Sequence, residues 1–299
     1  MDRLLNVEAT SACYANCSMC PHDKVKNVGF LCLDVVDALI NKVKNYSLYE
    51  VSISGRGEPT LHPQLVDIVN KLKCLNTPIS IVTTTAGLNE RNYKEILDAV
   101  DILRISVSSI EEDLFKIIHR GLEYKKTWKM IEQVISYCPE KVYIHLVGGE
   151  DTYSGLEATV NYFKKHNVNN IFLFPLWNRG GNLDVDQDII KIRQMLVEKY
   201  SIHYSEDEYL DDEKRKKLNL PNYCPIGDTS ISVNCFGEMI GCFQDFENHN
   251  KVCTVFEEVD FLSKRCQYFG KMQICKDCNS LKQVKILPDV EKLRGLMDE

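Results

Sequence analysis

The chain has 299 residues, of which 36 are Lys or Arg and 43 are Asp or Glu, for a formal net charge of −7. A hydrophobic content of 44% suffices for a large core and excludes a disordered chain, and the acidic balance excludes the electrostatic footprint of a nucleic-acid binder. No apolar stretch approaches the roughly 20 residues that span a bilayer, and the opening MDRLLNVEAT has no signal-peptide apolar core, so a cytoplasmic protein with no membrane partner is expected. In that reducing compartment the 13 cysteines call for metal binding, catalysis or burial rather than disulfides, and their odd number fits metal binding better than complete pairing.

From the N-terminus, β-rich runs predict strands over residues 4–8, 51–54, 79–84, 102–107, 142–146 and 171–174. The intervals carry helical spacing: Val36, Leu39, Ile40 and Val43, then Leu65, Ile68, Val69 and Leu72, later Trp128, Ile131 and Ile135, and finally Leu156, Val160 and Phe163. Six strand–helix units read as an α/β fold with a parallel sheet, open or barrel-like, whose chemistry gathers in loops at the carboxyl edge. Near residue 183 the pattern changes to a helix over about 189–200 and a charged, solvated connection over 206–217. Seven cysteines then fall within the 55 residues from Cys224 to Cys278, with strand-like pieces at 229–233 and 238–240 around Gly237. The expected division is a core at 1–182, a bridge at 183–221 and a small cysteine-rich module at 222–299.

Directly after the first strand, Cys13, Cys17 and Cys20 stand in a C-x3-C-x2-C pattern. Three thiolates this close can hold one cubane iron–sulfur cluster and leave an iron without a protein ligand. The competing reading is a tetrahedral zinc site closed by His22. The triplet in its βα context resembles the signature of the radical SAM superfamily, and Cys20-Pro21-His22 resembles the form found in subfamilies with a C-terminal auxiliary cluster domain. The resemblance implies a partial (β/α)6 TIM-like barrel and S-adenosylmethionine (AdoMet) bound to the open iron.

The segment Ser54 to Pro63 is similar to the family's GxGEP motif, so Gly55, Gly57, Glu58 and Pro59 are expected at the methionine amine. Glycines let the backbone approach a ligand closely, and a carboxylate suits an ammonium. After strand three the family shows threonines, an asparagine and a glycine; Thr83-Thr84-Thr85-Ala86-Gly87 lacks the asparagine, and Thr84 is the cofactor candidate there. Ser106 and Ser108, together with Arg120 of His119-Arg120-Gly121, resemble later cofactor-contacting segments. In the loop after strand six, Trp177 is a candidate for packing on adenine or substrate and Arg179 for bonding a substrate hydroxyl or anion. His145 and Glu150, flanking Gly148-Gly149, are candidate acid–base residues.

Cys224, Cys242, Cys275 and Cys278 follow a C-x17-C-x32-C-x2-C spacing that resembles the twitch module, a shortened SPASM domain, and implies an auxiliary 4Fe–4S cluster. A zinc ribbon uses the same four thiolates, and Cys235, Cys253 and Cys266 are possible substitute ligands. Cys32, Cys74 and Cys138 read as packing residues.

The resemblance thus implies two 4Fe–4S clusters and AdoMet, with an external one-electron donor such as flavodoxin or ferredoxin. It implies reductive cleavage of AdoMet to a 5′-deoxyadenosyl radical, hydrogen abstraction from substrate and electron transfer to the auxiliary cluster. The spacing of the module resembles that of 2-deoxy-scyllo-inosamine dehydrogenase-type enzymes, which points to oxidation of a small sugar- or cyclitol-like alcohol. One alternative is a ribosomal-peptide maturase that forms a thioether or other crosslink. The first strand lies within ten residues of Met1, which weighs against the recognition domain such maturases often carry. The other alternative is a non-enzymatic zinc or iron–sulfur interaction protein.

Overall fold

In the computed structural model Leu5, Val7, Val51, Ile53, Ile79, Ile81, Leu103, Ile105, Ile144 and Leu173 are buried, and they alternate along their strands with Asn6, Ser52, Ser80, Arg104, Tyr143, His145 and Phe172. This period of two gives each strand an apolar face for helices and a second face rich in polar and aromatic groups. The structure describes residues 2–148, 153–176, 178–179, 182–183, 203–204, 208–209, 229–268, 271–276, 278 and 283–284. The strands β1 (Arg3–Val7), β2 (Leu48–Ile53), β3 (Ile79–Thr83), β4 (Ile102–Ser106), β5 (Val142–Gly148), β6 (Ile171–Pro175) and β7 (His203–Tyr204) lie side by side in chain order, each parallel to the next. The six expected strands are present with no end shifted by more than three residues, and β7 was not anticipated.

Between them run α1 (Leu33–Val43), α2 (Leu65–Leu72), α3 (Tyr93–Ala99), α4 (Glu112–Ile118), α5 (Tyr124–Tyr137) and α6 (Tyr153–Lys165). In α2 the buried stripe is the one the spacing predicts, Leu65, Ile68, Val69 and Leu72; in α1 Val36, Leu39 and Val43 are buried as predicted, with Val35 beside them, while Ile40 is only half-buried. The helix expected over 189–200 lies outside the described residues, as do Glu150, Trp177 and Cys224.

A short strand, β8 (Glu208–Tyr209), pairs with β12 (Gln283–Val284). The cysteine-rich segment joins the main sheet: β9 (Ser230–Val233) pairs parallel with β1 on the edge opposite β2, and β10 (Glu238–Ile240) and β11 (Lys251–Thr254) continue the sheet antiparallel. Ile231, Val233, Met239 and Val252 accordingly share one core with Leu5 and Val7. Gly237 turns the β9–β10 hairpin at a φ of 77°, a conformation glycine adopts without a Cβ clash. Two helices follow, α7 (Phe261–Cys266) and α8 (Gln273–Lys276). The fully buried Arg265 of α7 donates from Nε to Gly241 O at 3.0 Å and also bonds Ser230 O, so this helix is fastened to β9 by charge-assisted hydrogen bonds.

Candidate functional site

At the carboxyl end of β1 the chain enters the loop that carries the three N-terminal cysteines. Cys17 is buried and Cys13 and Cys20 are partly accessible; no described cysteine is in a disulfide. Burial pushes all three thiols up, Cys13 to about 11, and at Cys17 the neighbouring Cys20 and Cys13 add to the effect. The three sulfurs therefore lie within electrostatic reach of one another, and a positively charged centre among them would reverse the shifts. Among the described residues no group of three or more His, Cys, Asp or Glu converges closely enough for a single metal ion. His22, the fourth ligand of the zinc alternative, faces Ser11 O from Nε2 at 3.1 Å. Three soft thiols spread around one loop fit a polynuclear iron–sulfur centre, which is wider than one ion.

The loop is held from behind by the segment after α4. Ser18 N donates to Ile118 O at 2.8 Å and Asn16 N to Arg120 O at 2.7 Å, while Arg120 Nε returns a bond to Asn16 O at 2.9 Å. Between these bonds His119 Nδ1 faces Cys17 Sγ at 3.5 Å, and Ser108 N donates to His119 Nε2 at 3.1 Å. Complete desolvation pushes His119 down to about 4, which keeps the ring neutral at ordinary pH. Gly121 holds a φ of 87°, and a Cβ there would stand 2.7 Å from Tyr14 O. Arg120, anticipated at the cofactor, thus braces the cysteine loop. His119 was not anticipated; its signal was a histidine directly before the Arg-Gly pair.

The loop after β2 lies against the same cysteine loop, with Glu58 N donating to Ala12 O at 2.7 Å. A Cβ on Gly57 would come within 2.4 Å of Thr10 O, and one on Gly55 within 2.7 Å of the Glu8 side chain. Both glycines are thus required by close packing within the protein, Gly57 against the cysteine loop and Gly55 against the Glu8 side chain. Pro59 starts a 3-10 turn, and the buried Glu58 carboxylate that caps it is surrounded by donors. Oε1 accepts from Thr60 N (3.1 Å), Thr60 Oγ1 (2.6 Å) and Thr83 Oγ1 (2.5 Å); Oε2 accepts from Thr84 N and Thr84 Oγ1, both at 2.7 Å. Thr84 and Glu58 therefore meet each other. Thr85 follows at a φ of 67°, rare for a β-branched residue. Alongside, Arg56 and Glu8 form a buried bidentate pair at 2.6 and 2.7 Å, and Cys235 N donates to Glu8 Oε1 at 3.3 Å.

On the polar and aromatic face of the sheet Ser106 pairs in register with His145, whose ring lies 4.5 Å from that of Phe174 and 6.0 Å from that of Phe172. Desolvation, and then the Arg104 cation, push His145 down to about 3. Ser108 is buried, with its hydroxyl 3.9 Å from Met19 Sδ. Arg179, in left-handed backbone at a φ of 50°, lies over the Phe246 ring at 5.5 Å. Burial lowers its pKa while Cys20, Cys242 and Cys278 raise it, so this guanidinium stands within electrostatic reach of both cysteine groups. Cys242 and Cys275 pack together with Met272 and Ile274. Of the other cysteines, Cys235 contacts Ser11 Oγ at 3.6 Å, Cys253 lies opposite Met239 in the β10–β11 ladder, and Cys266 is exposed at the end of α7.

Known proteins resemble this chain in sequence and in fold. GTP 3′,8-cyclase of Limosilactobacillus fermentum is 28% identical over 189 residues, covering 58% of this chain and 55% of that enzyme. A probable GTP 3′,8-cyclase of Saccharolobus islandicus is 27% identical over 247 residues, covering 80% and 76%. Among solved structures, Streptococcus suis SuiB bound to AdoMet superposes with a TM-score of 0.71 at 14% identity over 98% of this chain and 74% of its own. AdoMet-bound anSMEcpe gives 0.67 at 14% identity over 99% of both chains, and BtrN in complex with AdoMet and 2-DOIA gives 0.57 at 17% identity over 93% of both. These likenesses show the radical SAM fold with a C-terminal twitch/SPASM-like domain. The family model of the Radical SAM superfamily matches residues 7–163, more than half of the chain, and with the fold and the cysteine loop in agreement the protein belongs to the radical SAM superfamily.

Proposed function

We propose that this radical SAM enzyme modifies a peptide or protein substrate, using a 4Fe–4S cluster on Cys13, Cys17 and Cys20 and an auxiliary cluster on Cys224, Cys242, Cys275 and Cys278. The observation that carries the substrate class is the likeness to peptide-bound structures. SuiB bound to the precursor peptide SuiA matches at a TM-score of 0.69 and anSMEcpe with the Cp18Cys peptide at 0.64, each over 98% of this chain. When bound, the first cluster and AdoMet supply a 5′-deoxyadenosyl radical for hydrogen abstraction.

The chain's own residues orient and insulate that chemistry. Gly55, Gly57, Glu58 and Pro59 fix the loop that borders the methionine end of AdoMet, with Thr84 locking Glu58. Ser106 and the aromatic wall of β5 and β6 line the space for adenosine and substrate, and Trp177, in the sequence that follows β6, is the candidate for packing on either. Arg179, within electrostatic reach of Cys20, Cys242 and Cys278, is a cation that would favour electron acceptance by a centre held at either cysteine group. His145, pushed down to about 3 by burial and the Arg104 cation, is neutral at ordinary pH and holds a proton only weakly, so of the two acid–base candidates Glu150 is the one we assign to proton transfer. The division at 1–182, 183–221 and 222–299 separates the radical core, the bridge and the auxiliary module. Flavodoxin or ferredoxin supplies the electron. No helix among the described residues is long and apolar enough to cross a membrane.

A second reading, oxidation of a sugar- or cyclitol-like alcohol, draws on BtrN, whose match covers 93% of both chains. Anaerobic reconstitution tests the common chemistry: about eight irons per chain and 5′-deoxyadenosine formed on reduction are expected, and zinc alone or no AdoMet cleavage would refute it. Incubation with short peptides encoded beside the gene, with aminocyclitols and with GTP then separates the substrates by mass spectrometry. A peptide product is expected; a ketone from the cyclitol, or GTP consumption, with every peptide unchanged would overturn the peptide reading.

A further inference from the structure

We propose that His119 tunes the N-terminal metal centre by donating an Nδ1–H hydrogen bond to the Cys17 sulfur. The inference rests on the reading that Cys13, Cys17 and Cys20 hold the cluster, and extends it to a residue that supplies no ligand.

The tautomer follows from one contact. The Ser108 backbone N–H, which can only donate, points at His119 Nε2 at 3.1 Å. Nε2 must present its lone pair there, so the single proton of a neutral ring sits on Nδ1. Nδ1 faces Cys17 Sγ at 3.5 Å, within reach of an N–H···S bond. An imidazolium is unsuited to this site, since its second N–H would oppose the Ser108 amide.

The two partners are fixed in advance. Asn16 N bonds Arg120 O and Ser18 N bonds Ile118 O, so Cys17 is held opposite His119 by a backbone bond on each side. The His119 ring packs on Phe115, centroids 4.9 Å apart, and His119 N donates to Phe115 O at 2.7 Å. Both residues are buried, so water does not compete for the contact. A hydrogen bond to a ligating sulfur strengthens as negative charge on that sulfur grows, and the charge is greater in the reduced cluster. The bond therefore favours reduction and raises the midpoint potential, which makes the centre accessible to a milder electron donor. His119 is a positioning residue that acts through Cys17.

The test compares reconstituted wild-type protein with His119→Leu, which removes the donor, and His119→Asn, whose amide restores one. Redox titration followed by electron paramagnetic resonance is applied to the signal that changes when AdoMet is added, which separates this cluster from the auxiliary one. At fixed potential His119→Leu is expected to lower the reduced-to-oxidised ratio about tenfold, equivalent to about 59 mV for a one-electron couple, with iron content unchanged and most of the loss recovered in His119→Asn. Equal potentials in all three proteins would overturn the role of His119 while leaving the ligand assignment intact. Absence of any AdoMet-responsive cluster in the wild type would refute the ligand assignment itself. A readout that needs neither cluster nor variant is the 15N spectrum of the His119 ring in the apoprotein: an Nδ1–H tautomer is expected, and an Nε2–H tautomer would overturn the proposal.

Discussion

Glu58 illustrates how a motif residue serves the protein before it serves a ligand. Its carboxylate receives five hydrogen bonds from Thr60, Thr83 and Thr84, which ties the loop after β2 to the end of β3. In Glu58→Gln an amide N–H2 replaces one acceptor oxygen and faces donors it cannot satisfy, at a cost of about 1–3 kcal/mol per buried orphan. Urea unfolding of the apoprotein should show a loss of about 2 kcal/mol or more; unchanged apoprotein stability would mean that the clamp contributes nothing without cofactor. His145 supplies a pH dependence. Its pKa lies near 3 in the folded chain, below the ordinary value of 6.5, so between those limits the unfolded chain holds the extra proton. Stability is full above about pH 6.5 and falls as the pH drops toward 3, with a slope approaching about 1.4 kcal/mol per pH unit from this residue. Replacement by Phe should flatten that part of the stability–pH curve, and an identical slope in His145→Phe would assign the acid sensitivity elsewhere. Neither property is visible in sequence. The donors to Glu58 are 2 to 26 residues away, and the depression of His145 depends on Arg104 and Phe174 from neighbouring strands.

At the scale of elements, β1 to β6 were legible because runs such as Ile79–Thr83 and Val142–Leu146 combine β-branched residues with a buried alternate face, a pattern that few other local structures satisfy. The seven-residue α3 buries only Ile96, Leu97 and Ala99, too short a stripe for helical periodicity to stand out. The strand β11 has two buried residues, Val252 and Cys253, and gains its definition from pairing with β10. The cysteine triplet was legible from spacing alone, since three soft ligands within eight residues have few other uses. The support of the triplet was not. Segment 118–121 reaches the loop through backbone bonds across about a hundred residues, and backbone groups leave no trace in composition. The same limit explains the glycines: Gly57 is confined by the carbonyls of Thr10 and Ala12, which only the fold brings beside it.

Over the whole molecule, the placement of the two cysteine groups depends on the joint between β1 and β9. That joint combines a parallel ladder from Leu4–Ser230 to Val7–Val233, the Arg56–Glu8 pair beneath Cys235, and Lys42 and Tyr46 bonding Val259 O at 2.7 Å and Asp260 Oδ1 at 3.1 Å. Ile231 and Val233 also lie in the same core as Leu5, Val7 and Val51, so opening the joint would expose apolar surface on both sides. A segment that shares both sheet and core with its neighbour is expected to unfold with it in one transition. Ile231→Ala should then cost about 2–5 kcal/mol and shift the unfolding curve seen at Trp128, buried in α5, as much as the curve seen by far-ultraviolet circular dichroism. Because the chain has two tryptophans, the measurement uses a Trp177→Phe background in which Trp128 is the sole reporter. Coincident shifts mean that the core and the cysteine-rich segment hold a fixed mutual geometry, as the proposed electron transfer between two centres would require. A shift confined to circular dichroism, with Trp128 unmoved, would make the segment an independent unit and leave the distance between its cysteines and the N-terminal triplet free to vary.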